Sequence, residues 1–253
     1  MNEDQAKFTD SAGVAWQGRT FSNNQFQSDK GEADPVLLQA LLDFQAGISD
    51  QERVVSAFAS ARLLVPLVAN LGDSGEGAKG LKTDKSAELS IVTVSAPDGQ
   101  KALPIFTSVG AMAKWNDKAR PVPNFGKTIA TAALNEGNTR IVLDPTCETE
   151  FVIRRPAIDA LAKGSAWVSP VKNPKVLEIV TEITKTESNV LKFELGSADP
   201  KSLLLGQELL LSLYLSPETS QAEVDAIESR LFTQLSANRG FVELVDSVAV
   251  QYL

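Results

Sequence analysis

The sequence predicts an α+β protein, and three observations carry that expectation. Helical stripes and short apolar runs alternate irregularly between Asp34 and Gly164. Asp98-Gly99, in a turn between two apolar runs, is a hairpin signal. After Ser165 the chain reads as single helices separated by alternating segments.

Taken in order, residues 1–33 are polar, rich in Asn, Gln, Ser and Asp, and have no helical or strand period, so they are expected to form an extended arm. Trp16, Phe21 and Phe26 are more aromatic residues than a free tail carries, which predicts that part of the arm docks. Asp34 caps and Pro35 opens a helix striped by Leu37, Leu38, Leu41 and Phe44. Ser49 with Glu52 matches a capping box ahead of Val54, Val55 and Phe58. Leu63 to Ala69 reads as a strand whose Pro66 favours an edge or a bulge. Leu89–Val94 and Ala102–Phe106 form the expected hairpin, and Ser108 caps a short helix carrying Met112 and Trp115. A helix over about residues 125–135 ends at Gly137, and Arg140–Asp144 forms a strand stopped by Pro145. Phe151–Ile153 is another strand, followed by a helix entered at Pro156.

The domain division expected from this pattern is an arm at 1–33, a first domain at 34–164 and a second at 165–253. In the second, Val176, Leu177, Val180 and Ile183 stripe a helix, while Leu191, Phe193, Leu195 and then Leu209, Leu211, Leu213, Leu215 alternate as strands. Ser220 and Glu223 cap a helix striped by Val224, Ile227, Leu231 and Leu235 and ended by Gly240; Val248, Val250 and Tyr252 close with a strand. With a first strand at Trp167 the order is βαββαβ, that of a ferredoxin-like unit.

Composition narrows the chemistry. The 253 residues include no histidine and one cysteine, Cys147. Imidazole is the commonest general base and a frequent metal ligand, so His-dependent triads and His-containing zinc centres are excluded. The net charge of −8, with both flanks acidic, opposes binding to phosphate backbones or anionic membranes. No apolar run reaches the roughly 18 residues that span a bilayer, and the start lacks a secretory pattern. A cytoplasmic protein without cofactor or metal is expected.

Several motifs carry two readings. Gly75 to Gly80 formally matches G-x-G-x-x-G but runs into a polar stretch and a strand rather than opening a helix, which favours a surface loop over a phosphate cradle. Arg154 and Arg155, with Arg120 and Arg140 elsewhere in the same domain, suit a carboxylate or phosphate beside a helix N-terminus; ion pairs with Glu148, Glu150 or Asp159 explain them as well. Thr107 and Ser108 could present hydroxyls and amides to the same ligand, or simply cap a helix. Cys147 has no imidazole to activate it and reads as a spectator thiol, with redox sensing as the alternative. Asp144, Glu148 and Glu150 crowd one stretch that could bind a hard cation such as Ca²⁺ or Mg²⁺, but their spacing matches no EF-hand, which favours solvated loop charges.

Seven stretches together resemble the SseB family in its actinobacterial form: Ala15–Phe21, Ala61–Val68, Asp84–Glu88, Pro97–Gly99, Ala102–Ser108, Ala111–Asn116 and Thr149–Pro156. The resemblance is most specific over residues 60–160, the part similar to the SseB N-terminal domain. It implies a first α/β domain with a mixed sheet, and a cellular phenotype of enhanced serine sensitivity without an assigned reaction or catalytic residues. After the Asp-Pro turn, where the family usually has glycine or serine, this chain has Thr146-Cys147. The expected function is therefore a non-enzymatic binding or regulatory module acting through protein–protein interaction, with an unknown protein partner or a second copy of itself, and with neither nucleic acid nor membrane. The alternative is a sensor of an amino-acid-like anion held by Arg120, Arg154, Arg155, Thr107 and Ser108. A His-free enzyme ranks third.

Overall fold

The computed structural model describes residues 26–70, 88–96 and 98–253. Residues 31–253 form one compact unit; the described part of the unit before it is a turn in which the Asp29 N–H donates to the Phe26 carbonyl at 3.0 Å. Most of the expected arm and the whole Gly75–Gly80 motif lie outside the described residues.

Helix α1 (Pro35–Gln45) starts where Asp34 accepts from the Val36 and Leu37 N–H groups at 2.9 and 3.1 Å. Helix α2 (Gln51–Ser60) is capped one residue later than expected: Asp50, not Ser49, accepts from the Arg53 N–H at 3.1 Å. A carboxylate is the stronger acceptor there, and the Ser49 hydroxyl is left buried without a partner. The chain continues through β1 (Arg62–Asn70), β2 (Glu88–Ile91), β3 (Val94–Ser95), β4 (Lys101–Ile105), α3 (Val109–Trp115) and β5 (Arg120–Phe125). Then come α4 (Gly126–Asn135), β6 (Arg140–Leu143), β7 (Phe151–Arg154) and α5 (Arg155–Lys163).

These strands make two sheets, one antiparallel in order β2-β1-β5 and one mixed in order β3-β4-β6-β7. The expected hairpin is only half present. Residues 88–91 join β1, and only β3 turns back onto β4, through a Gly99 at φ 77° whose N–H donates to the Ala96 carbonyl at 2.8 Å. Pro66 is likewise not on an edge, because β1 is the middle strand of its sheet. Its partner across the ladder is Pro121, so at that pair neither strand has an N–H to lose. Strand β5, with two prolines in six residues, carried no strand signal. The first apolar core lies between α1, α2, α4 and α5 and the mixed sheet, around Leu37, Phe58, Ile105, Ile141 and Ile158.

Beyond α5 the order is α6 (Pro174–Thr184), β8 (Val190–Gly196), β9 (Leu209–Leu215), α7 (Gln221–Ala237), α8 (Arg239–Leu244) and β10 (Val248–Tyr252). No strand forms at Trp167, whose ring packs against the first core instead, so the leading β of the expected βαββαβ is missing. The sheet has three strands in order β10-β9-β8, with β10 parallel to β9. Gly240 does not end a helix; it lies inside α8, which Asn238 starts by accepting from the Phe241 N–H at 3.0 Å. The bulge between Val190 and Lys192 turns Leu191 out of the expected alternation into solvent. A second core forms where Val176, Val180, Leu211, Leu213, Ile227 and Leu231 meet. α+β is thus the architecture, and among the described residues no helix is long and apolar enough to cross a membrane.

Candidate functional site

The five residues singled out from the sequence do not converge on a ligand cradle. Thr107 is buried and committed: its N–H and its hydroxyl both donate to the Asp144 carboxylate at 2.7 Å. Ser108 caps α3, its hydroxyl accepting from the Ala111 N–H at 3.1 Å. Arg155 is exposed and lies 3.7 Å from Asp159 one helical turn on. Arg120 is exposed on β5, opposite Leu67 of β1. Of the three arginines Arg154 alone is buried, and its fork is spent on two carboxylates and a backbone carbonyl.

Arg154 stands at the end of β7 and reaches Asp199 at 2.7 Å, Asp246 at 3.1 Å and the Gly206 carbonyl at 2.6 Å. Arg140, on the neighbouring β6, meets Asp246 through two parallel bonds of 2.7 and 2.8 Å and Asp98 through its Nε at 3.0 Å. Two guanidinium groups of the mixed sheet are thus clamped by carboxylates from the two connections that flank β9 and β10. Bidentate pairing of this kind fixes geometry as well as energy. Glu208 adjoins the cluster: it is buried, and its Oε2 accepts from the Asp246 N–H at 2.7 Å. Burial pushes its carboxyl up to about 7, with the bond from the Asp246 N–H opposing the shift and the Asp246 charge adding to it.

Asp199 organises the segment that follows it. Its carboxylate accepts from the N–H groups of Leu203, Leu204 and Leu205 at 3.1, 2.9 and 3.4 Å. That wrap forces Ser202 and Leu204 to φ 53° and 58°. It also brings residue 206 so close to the Ala198 carbonyl that a Cβ would stand 2.3 Å from its oxygen, which only glycine avoids. The Ser202 carbonyl then accepts from the Val152 N–H at 2.7 Å, hooking the segment onto β7.

The loop after β6 is held in a similar way. Asp144 is fully buried at φ 48°, and a third bond, from the Thr149 hydroxyl at 2.7 Å, joins the two from Thr107. Burial pushes its carboxyl up against those three bonds. Thr146 follows at φ 70°. Non-glycine residues at positive φ store strain of about 1–3 kcal/mol each and gather at functional sites; all four in this chain's described residues lie in these two loops.

Between the two loops and the end of α1 runs a groove of about 710 Å³, lined by Phe44, Gly47, Cys147, Pro200, Leu203 and Leu205. Leu205 is 79% exposed at its lip, and Ile48, next to Gly47, is 74% exposed. Glu148, Glu150 and Lys201 supply its charges. The Gln45 amide donates to the Glu148 carbonyl and ties the helix end to the loop. The Cys147 thiol is pushed up by burial, then by Asp144, and so stays protonated rather than nucleophilic. Among the described residues no group of three or more Cys, Asp or Glu could hold a metal ion: Asp144 turns inward to threonines, while Glu150 accepts from the Thr146 N–H at 2.7 Å.

The groove escaped the sequence reading because its walls come from three distant segments. The only local trace was the Asp-Pro-Thr-Cys turn at 144–147. No curated protein and no solved structure matches the chain. Residues 37–160, which supply all but the first two residues of α1, the Asp144 loop and both arginines, match the family model of the SseB protein N-terminal domain, and this part of the chain is a domain of the SseB family.

Proposed function

We propose that the protein is a cytoplasmic, non-catalytic binding module that grips a partner protein in the groove beside Cys147. The observation that carries this reading is the presentation of Leu205. Scattered exposed leucines are ordinary, but this one sits on backbone immobilised by a buried carboxylate. A side chain displayed on a pre-ordered loop saves the entropy that binding would otherwise cost.

The partner that fits presents an apolar side chain beside a Lys or Arg. Two carboxylates face one lysine around the groove, and the chain's net charge of −8 draws basic surfaces from a distance. A protonated thiol and the absence of histidine support recognition without turnover. The serine phenotype that gives the family its name is, in this reading, a consequence of losing that partner.

The test places a photo-crosslinking phenylalanine derivative at Leu205 or Ile48 in living cells, with Leu177 of α6 and Phe232 of α7 as control positions. One shared adduct from 205 and 48, and none from the controls, is expected. The purified adduct partner then binds the wild type, and Leu205→Asp weakens that binding at least ~tenfold, as loss of a central apolar anchor does. Equal labelling from all four positions, or unchanged affinity in Leu205→Asp, overturns the reading.

A further inference from the structure

The charged seam between the two cores is unevenly balanced. Arg140 and Arg154 are matched by Asp98, Asp199 and Asp246, each bonded directly to a guanidinium. Glu208 is the fourth acid, and among the described residues no cation bonds to it; Arg154 and Arg140 act on it only through space. Yet it is buried at the root of the segment that carries Asp199 and Leu205, and it holds the Asp246 backbone through Oε2. Its own N–H donates to the Ser247 hydroxyl at 3.1 Å, so it ties the connection before β9 to the one before β10.

We propose that Glu208 is the proton-operated catch of this seam: neutral, it lets the 197–208 segment seat against the mixed sheet, and ionised, it loosens that segment. The groups facing it come from every element around it. Asp246 from the α8–β10 connection is the nearest like charge, and Asp199 lies on its own connection. Arg154 of β7 and Arg140 of β6 are the opposing cations, the second shared with Asp98. On the α2 side, Asp50, Glu52 and Lys172 line the same small cavity as Glu208, with Lys172 paired to Asp50 at 2.7 Å. A new charge on Glu208 therefore arrives where both arginines are already engaged, next to Asp246, on a side chain that is itself buried.

The direction follows from linkage. With its carboxyl raised from 4.5 to about 7 in the seated state, Glu208 favours seating at low pH, and that contribution is lost as pH rises through 7. Opening of the segment then increases about tenfold between pH 6 and pH 8. The groove of the proposed binding site would lose its Leu205 lip over the same interval, a consequence that rests on that functional reading; the catch itself does not.

Hydrogen exchange read by mass spectrometry on the isolated protein at pH 6 and pH 8, corrected for the intrinsic pH dependence of exchange, tests it. Protection of 199–206 in the wild type should fall about tenfold, protection of α7 should not change, and Glu208→Gln should remain protected at both pH values. Unchanged protection in the wild type, or a parallel fall in Glu208→Gln, overturns the proposal. So does a Glu208→Gln protein that fails to fold at pH 6, because a neutral side chain of that shape is what the seated state requires. No partner is present in the measurement, so a pH-insensitive segment would sink the catch and leave the binding reading standing, while an unmoved affinity in Leu205→Asp would do the reverse.

Discussion

The first apolar core and the charged seam beside it hold the same mixed sheet in opposite ways. The core joins Leu37, Phe58, Ile105 and Ile158 by area alone, without direction, so any well-filled set of side chains would serve. The seam joins Arg140 and Arg154 to Asp199 and Asp246 by bonds of fixed length and angle, and it specifies where two connections sit. The difference teaches that this molecule uses hydrophobic burial to exist and buried charge to aim: what the charge aims is the loop bearing Leu205.

The sharpest way to break the contrast is to damage each side in turn. Phe58→Ala, at a fully buried ring in the middle of the core, should cost about 3–5 kcal/mol in denaturant unfolding and leave the pH dependence of stability unchanged. Arg154→Ala should cost somewhat less, about 3 kcal/mol, because it strands Asp199 as a buried charge while Asp246 keeps its two bonds from Arg140. Unlike the core mutation, it should make 199–206 the segment that exchanges hydrogen fastest. If both variants lose protection evenly along the chain, the seam has no separate aiming role. The smallest expected effect is a gain: Thr146→Gly relieves a β-branched residue at φ 70°, and thermal unfolding should show stabilisation of about 0.5–1 kcal/mol.

These two regions also differ in how far the sequence announced them. The stripes Leu37, Leu38, Leu41 and Val176, Val180, Ile183 repeat within one turn of helix, so periodicity located α1 and α6, and Asp34-Pro35 and Ser220–Glu223 placed their own helix starts. Strand β5 was silent, since its prolines are tolerated because it is the outer strand of its sheet and Pro121 faces Pro66, an arrangement that no local window contains. Trp167 misled because an aromatic residue beside the β-branched Val168 looks like strand, whereas its ring is consumed by the first core. The candidate site was harder still. Arg154 reads locally as a cation beside a helix start, but its acids lie 45 and 92 residues further on. Charge carries no period, so spacing could not reveal that its fork was already filled. Nor could it show that Thr107 and Ser108 are spent on Asp144 and on α3.

The hook from Val152 to Ser202 has a wider consequence. Strand β7 is the last of its sheet, and a bare outer strand invites other chains to lengthen the sheet without limit. Because the loop that displays Leu205 also shields this margin, a variant that lets go of the loop would bare it, and the visible symptom in a culture would be inclusion bodies.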